Sequence, residues 1–243
     1  MDVKQLSYFS ESEWMKMISP EFSRQKNRAE WNLRKARFGV IRLDLTKDLE
    51  MTGDGYPKIK PFFGYPDFPL IDFNEALRLK DYDYWVHWFI DDVCFERIWN
   101  PKYTERDLEI LARFRGAFTP DFTLWPSMSP VQEQFNIFRS RTIGQRLQRL
   151  GVPVIPTIGW STRASFDYFL CGLSEGGTVA ISTNGVIKNL LSQRLFREGV
   201  FEMERKLRPG IIVIYGAKME LSTNAQQIWI PNNRITRLRA LSF

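Results

Sequence analysis

From Tyr84 onward the chain alternates short apolar runs with longer amphipathic ones, which restricts it to βα units rather than a sandwich. Residues 84–90, YWVHWFI, read as a strand and TERDLEILARF as a helix. Residues 116–118 open a second strand that ends near Asp121. Ser129, Pro130 and Gln132 then form a capping-box start to a long helix, which Gly151 closes. Residues 152–158 form a third strand, and the Ser161 hydroxyl is placed to cap a helix around Phe166, Phe169 and Leu170. Residues 178–181 and 211–215 are two more strands, separated by a helical region over 187–207 that Gly199 is expected to break or bend.

The earlier part of the chain is less regular. Residues 38–43 and 70–73 read as two further strands, with a Gly- and Pro-rich loop over 53–69, and residues 228–230 as a last one. About eight strands joined by helices predict a single α/β domain, a (β/α) barrel-like fold with an open doubly wound sheet as the alternative. The expected division is a basic N-terminal helical extension over 1–37, the barrel-like domain over 38–230 and a basic tail over 231–243.

An apolar content of 44% with 14% aromatics excludes a disordered chain. No apolar run approaches the roughly 20 residues that cross a bilayer, and MDVKQLSYFSESEW lacks the basic start and apolar block of a secretory signal. Cys94, Cys171 and the single histidine, His87, make neither a zinc cluster nor a disulfide scaffold, so a cytoplasmic location is expected. The net charge of +6 is unevenly spread. Residues 44–92 hold about eleven acids against five bases, whereas the tail contributes Arg234, Arg237 and Arg239 with no acid. Basic residues also recur in RQKNRAEWNLRKARF, interleaved with Trp31 and Phe38, as a nucleic-acid surface requires.

Carboxylates near strand ends are the candidate catalytic groups, because ligands of parallel α/β proteins bind at the carboxyl edge. Asp91, Asp92, Glu96 and Asp121 supply them. Neighbouring charge and burial separate the pKa values of such acids into general acid and nucleophile or base. Adjacent residues of a strand face opposite sides, so Asp91 and Asp92 are divided, and the better pair is one of them with Asp121. The same acids are the expected ligands if a divalent ion such as magnesium is bound. Candidate substrate-binding residues are Trp160, which can stack on a base, and Ser182 and Asn184 in a turn beyond a strand. Tyr215, Arg139 and Arg141 complete that set, although the two arginines lie well into a helix, about 15 Å from its start. Arg234, Arg237 and Arg239 are the candidate nucleic-acid contacts, and His87 reads as a core or wall residue.

YWVHWFIDDVCFERIWN, GAFTPDFTLWPSMSPVQEQFNIFRSRTIGQRLQRLGVPVIPTIGWS, TVAISTNGV and IIVIYG, in that order, resemble an uncharacterised family, DUF4417, of bacteria, phages and other mobile elements. The matching residues include Asp91, Asp92, Phe95, Glu96, Trp99, Pro120, Asp121, Phe122, Arg139, Arg141, Gly144, Trp160, Ser182, Gly185, Tyr215 and Gly216. The resemblance implies a mobile-element protein and brings no activity with it. Taken with the residues above, the expectation is a hydrolase or transglycosylase acting on a nucleotide or nucleic acid at a glycosidic or phosphodiester bond. The alternative is a non-catalytic accessory protein that binds DNA, a nucleotide signal or a host protein.

Overall fold

The structure, a computed structural model, describes residues 41–232. The chain divides into two units, and the larger, Leu45–Phe243, carries the fold. Of the smaller, only residues 41–44 are described, where Arg42 pairs with Asp44. The expected N-terminal extension and the tail arginines lie outside the described residues, as do residues 38–40 of the strand read at 38–43. Leu43, near the end of that segment, is helical.

Seven strands are described: β1 Leu70–Asp72, β2 Trp85–His87, β3 Gly116–Phe118, β4 Val154–Ile155, β5 Thr178–Ser182, β6 Ile211–Tyr215 and β7 Gln226–Ile230. Between them lie α1 Phe73–Ala76, α2 Thr104–Leu111, α3 Pro130–Arg149 and α4 Leu190–Leu207. The fold is mixed α/β with parallel sheets. One sheet runs β1-β2-β3-β4 and the other β5-β6-β7, and every pair within them is parallel. A parallel bridge between Thr157 and Ala180 links them, with Ile158 N–H donating to Ala180 O at 2.8 Å and Ala180 N–H to Pro156 O at 2.9 Å. All carboxyl ends therefore lie along one edge.

The β-branched IIVIY of β6 is enclosed on both faces, as strands of parallel sheets are. Ile212 and Ile214 pack toward Phe196, Val200, Met203 and Leu207 of α4. Val213 and Tyr215, on the alternate face, join the core formed by Trp85, Val86, Phe118 and Ile155 of the other sheet. Tyr215 stacks on Phe89 at 4.8 Å between ring centroids, with 17° between planes, and lies 4.8 Å from His87.

The capping box stands as read: Gln132 Oε1 accepts the Ser129 N–H at 2.9 Å, and Pro130 opens α3. Gly151, at φ 83°, ends it with Val152 N–H on Leu147 O at 3.1 Å. Four expectations change. The strand at 84–90 stops at His87, because Phe89 N–H turns back to His87 Nδ1 at 3.2 Å and Ile90 N–H to Trp88 O at 2.8 Å. Asp91 therefore sits at the N-cap of a 3₁₀ turn, Asp92–Cys94, which Asp92 opens and a second turn, Glu96–Trp99, follows; neither acid ends a strand, and strand alternation does not separate them. Gly199 does not interrupt α4; a Cβ there would overlap the Trp160 indole, so the glycine serves close approach. Ser161 caps no helix: Thr162 precedes the 3₁₀ segment Arg163–Asp167, and the Ser161 hydroxyl donates to Glu133.

Candidate active site at the carboxyl edge

The β1 end is occupied structurally, since Asp72 Oδ1 accepts the Glu75 N–H at 3.0 Å and caps α1. His87, its register partner at the end of β2, is 6% exposed. Burial lowers its pKa to about 4 against a smaller raising effect of Asp72, so the ring is neutral at pH 7.

Beyond β3, Asp121 is half-buried, and the Gly159 backbone after β4 lies beside its carboxyl. It makes no hydrogen bond or ion pair among the described residues. Burial, and after it the charge of Asp92, raise its pKa to about 7. Asp92 itself is held: Thr123 N–H donates to Oδ2 at 3.0 Å and Thr123 Oγ1 to Oδ1 at 2.7 Å. The structure thus couples Asp92 and Asp121, whereas Asp91 is exposed.

Glu96 is exposed and ion-paired with Arg139, whose guanidinium also donates to Asn136 Oδ1 at 2.6 Å and stacks 3.8 Å from the Phe122 ring centroid. Arg141 is enclosed and donates to the carbonyls of Cys171, Thr157 and Phe169 at 3.0–3.1 Å. Burial lowers its pKa to about 10, and its donors fasten the segment after β4 to α3. Trp160 packs on Phe169 and Phe196 rather than standing open as a stacking platform.

Ser182 and Asn184 meet at the β5 end, where Ser182 Oγ accepts the Asn184 N–H at 3.1 Å. Asn184 Oδ1 accepts from Asn232 Nδ2 at 3.1 Å, and the Tyr215 hydroxyl donates to Asn232 Oδ1 at 3.3 Å. An uncharged polar chain thus runs across the ends of β5, β6 and β7.

The sequence reading missed one carboxylate. Glu133, in the first turn of α3 and 3% exposed, accepts the hydroxyls of Ser161 and Tyr168. Its place just after a capping box was the available signal, but its partners lie 28 and 35 residues away. Among the described residues no three His, Cys, Asp or Glu side chains converge as a metal site, and no helix is long and apolar enough to cross a membrane.

No solved structure matches the chain. A protein named Gene 1 protein from Mycobacterium phage L5 is 33% identical over 195 residues, 79% of this chain and 83% of that protein. A Gene 1 protein from Mycobacterium phage D29 is 38% identical over 131 residues, 54% of this chain and 48% of that protein. The family model described as a domain of unknown function, DUF4417, matches residues 51–231, a span that holds both sheets and the acids at their carboxyl edge. The chain belongs to the DUF4417 family.

Proposed function

We propose that the chain is a phage or mobile-element enzyme that acts on a nucleotide or nucleic acid at the carboxyl edge of a curled, barrel-like sheet, with Asp121 as the proton-transferring group. Curling is supported by the rings of His87 and Phe89, which meet Tyr215 although β2 and β6 are four places apart in the linked order. In a flat sheet that separation is about 19 Å, at roughly 4.8 Å per strand.

The observation that carries the reaction is the state of Asp121. A carboxyl near pKa 7 is present in both protonation states at neutral pH, so it can give a proton to a leaving group and take one from an attacking water. Making or breaking a glycosidic or phosphodiester bond requires both transfers. Asp92 adds to the effect of burial on this value while its own oxygens accept from Thr123, which makes it a positioning residue. The non-catalytic reading is favoured by a different observation: Asp92, Glu96, Arg139 and Arg141 all hold other protein groups.

The test is turnover. Wild type and Asp121→Asn are incubated with nucleosides, nucleotides and single- and double-stranded oligonucleotides, and base release and chain cleavage are measured. Activity in the wild type that falls at least about a hundredfold in the variant, the lower end of proton-transfer contributions, supports the enzyme. Equal activity in both removes Asp121, and binding without turnover in the wild type leaves the accessory role.

A further inference from the structure

His87 is the one histidine in the chain and has no place in the proton transfer assigned to Asp121. Its Nδ1 accepts the Phe89 N–H, so the neutral ring carries its hydrogen on Nε2. That donor has no partner among the described residues. Only Arg139 Nε is both fully enclosed and unsatisfied among their side-chain atoms. The Nε2 of His87 therefore opens on space, although the residue is 6% exposed. A donor so deeply set and yet unused is a place for a ligand acceptor.

The surroundings narrow the ligand. The imidazole packs beside the rings of Phe89, at 5.7 Å, and Tyr215, at 4.8 Å, which also stack on each other. Tyr215 continues into the amides of Asn232 and Asn184, each able to donate and accept. None of these groups is cationic, Arg141 is spent on carbonyls and Arg139 pairs with Glu96. The neighbouring strand ends and turns carry Asp72, Asp91, Asp92 and Asp121, with the exposed Lys188 and Lys218 in the turns beyond β5 and β6. An uncharged ring with a carbonyl or ring-nitrogen acceptor would satisfy the imidazole N–H among these uncharged groups.

We propose that His87 Nε2–H, Tyr215 and the Asn184–Asn232 amide pair form a binding site for an uncharged heteroaromatic ring, the base of a nucleoside, rather than for its phosphate. The proposal rests on the reading of the carboxyl edge as the substrate side and specifies which part of the substrate that edge holds.

A single histidine allows a direct test. Untagged protein with ¹⁵N in its imidazole gives one ring spin system, titrated near pH 7 with adenosine, guanosine, cytidine and thymidine and with their 5′-monophosphates. At least one nucleoside should move the Nε2 resonance, and its monophosphate should bind within about threefold. His87→Phe keeps an aromatic ring and removes the donor, and it should weaken that nucleoside about tenfold or more. The exposed Asn184→Ala should also weaken binding and serves if the His87 variant does not fold. A silent imidazole with all four nucleosides, undiminished affinity in either folded variant, or a monophosphate that binds more than about tenfold tighter each overturns the base site. Nucleoside binding that depends on His87, with turnover that ignores Asp121→Asn, keeps the base site and rejects the proton-transfer reading.

Discussion

Asp121 and His87 are displaced in opposite directions, and the pH dependence of stability tests both at once. Asp121 rises from 3.8 to about 7 on folding, so between those values the native state binds the extra proton and stability falls as pH rises. His87 drops from 6.5 to about 4, so between those values the unfolded state binds the extra proton and stability rises with pH. Over about pH 4.5 to 6.5 the two slopes cancel, each being about 1.4 kcal/mol per pH unit. Asp48, Glu50, Asp54, Glu198 and Glu202 are all lowered, so they add stability as pH rises through their unfolded values of 3.8 and 4.5, a contribution shared by the variants below and largely complete above about pH 5.5. Asp121→Asn uncovers the histidine: its stability should rise across the window by about 2 kcal/mol more than that of the wild type. At pH 7 the variant should exceed wild type by about 2–4 kcal/mol, the lower figure allowing for the partial exposure of Asp121. His87→Phe should slope the other way, losing stability relative to wild type as pH rises, and the double variant should again parallel wild type. Urea unfolding at half-unit pH steps reads all four proteins. An Asp121→Asn variant with no slope beyond that of the wild type would refute the reasoning, since the burial of His87 would then not hold it neutral.

Asp92→Asn removes the nearby charge that helps raise Asp121, so the pKa of Asp121, read from its ¹³C carboxyl shift, should fall below about 7, and an unchanged value would separate the two acids. Gly199→Ala drives a Cβ into the Trp160 indole and should cost about 1–3 kcal/mol in denaturant unfolding, a loss that Trp160→Ala in the same chain should partly recover. Arg141→Ala strands three carbonyls and should destabilise by about 3–5 kcal/mol at any pH between 6 and 8, where the arginine stays charged. The Cys171 thiol is pushed up to about 11 by burial and by its hydrogen bond to Asp54, so it should react with a disulfide reagent at pH 8 far more slowly than in a urea-unfolded chain.

What the sequence disclosed was local. Alternating apolar runs placed β2 through β6, and Ser129, Pro130 and Gln132 placed the start of α3, because their hydrogen bonds close within three residues. Asp121 was found for the same reason: it follows Pro120 directly after a strand. What escaped was set by distant partners. No local pattern announces that Arg141 reaches the carbonyls of Thr157 and Phe169, or that Glu133 receives Ser161 and Tyr168. The early end of β2 also escaped, because a side-chain acceptor on His87 competes with the ladder for the Phe89 N–H, and apolar periodicity is blind to that competition.

The two displaced groups together are compatible with the proposed base site on an acid-rich edge. With ordinary values, Asp121 would be an anion at pH 7 and the imidazole a partial cation, and each would seek a counter-ion. Burial reverses both: the carboxyl is often a neutral O–H donor and the ring is always a neutral N–H donor. Neither finds an acceptor among the described residues, so both donors are spare at neutral pH. A carboxyl that could pair with Arg139 or Arg141 would lose this state. Glu96 holds one guanidinium and backbone carbonyls the other, and neither pairs with Asp121.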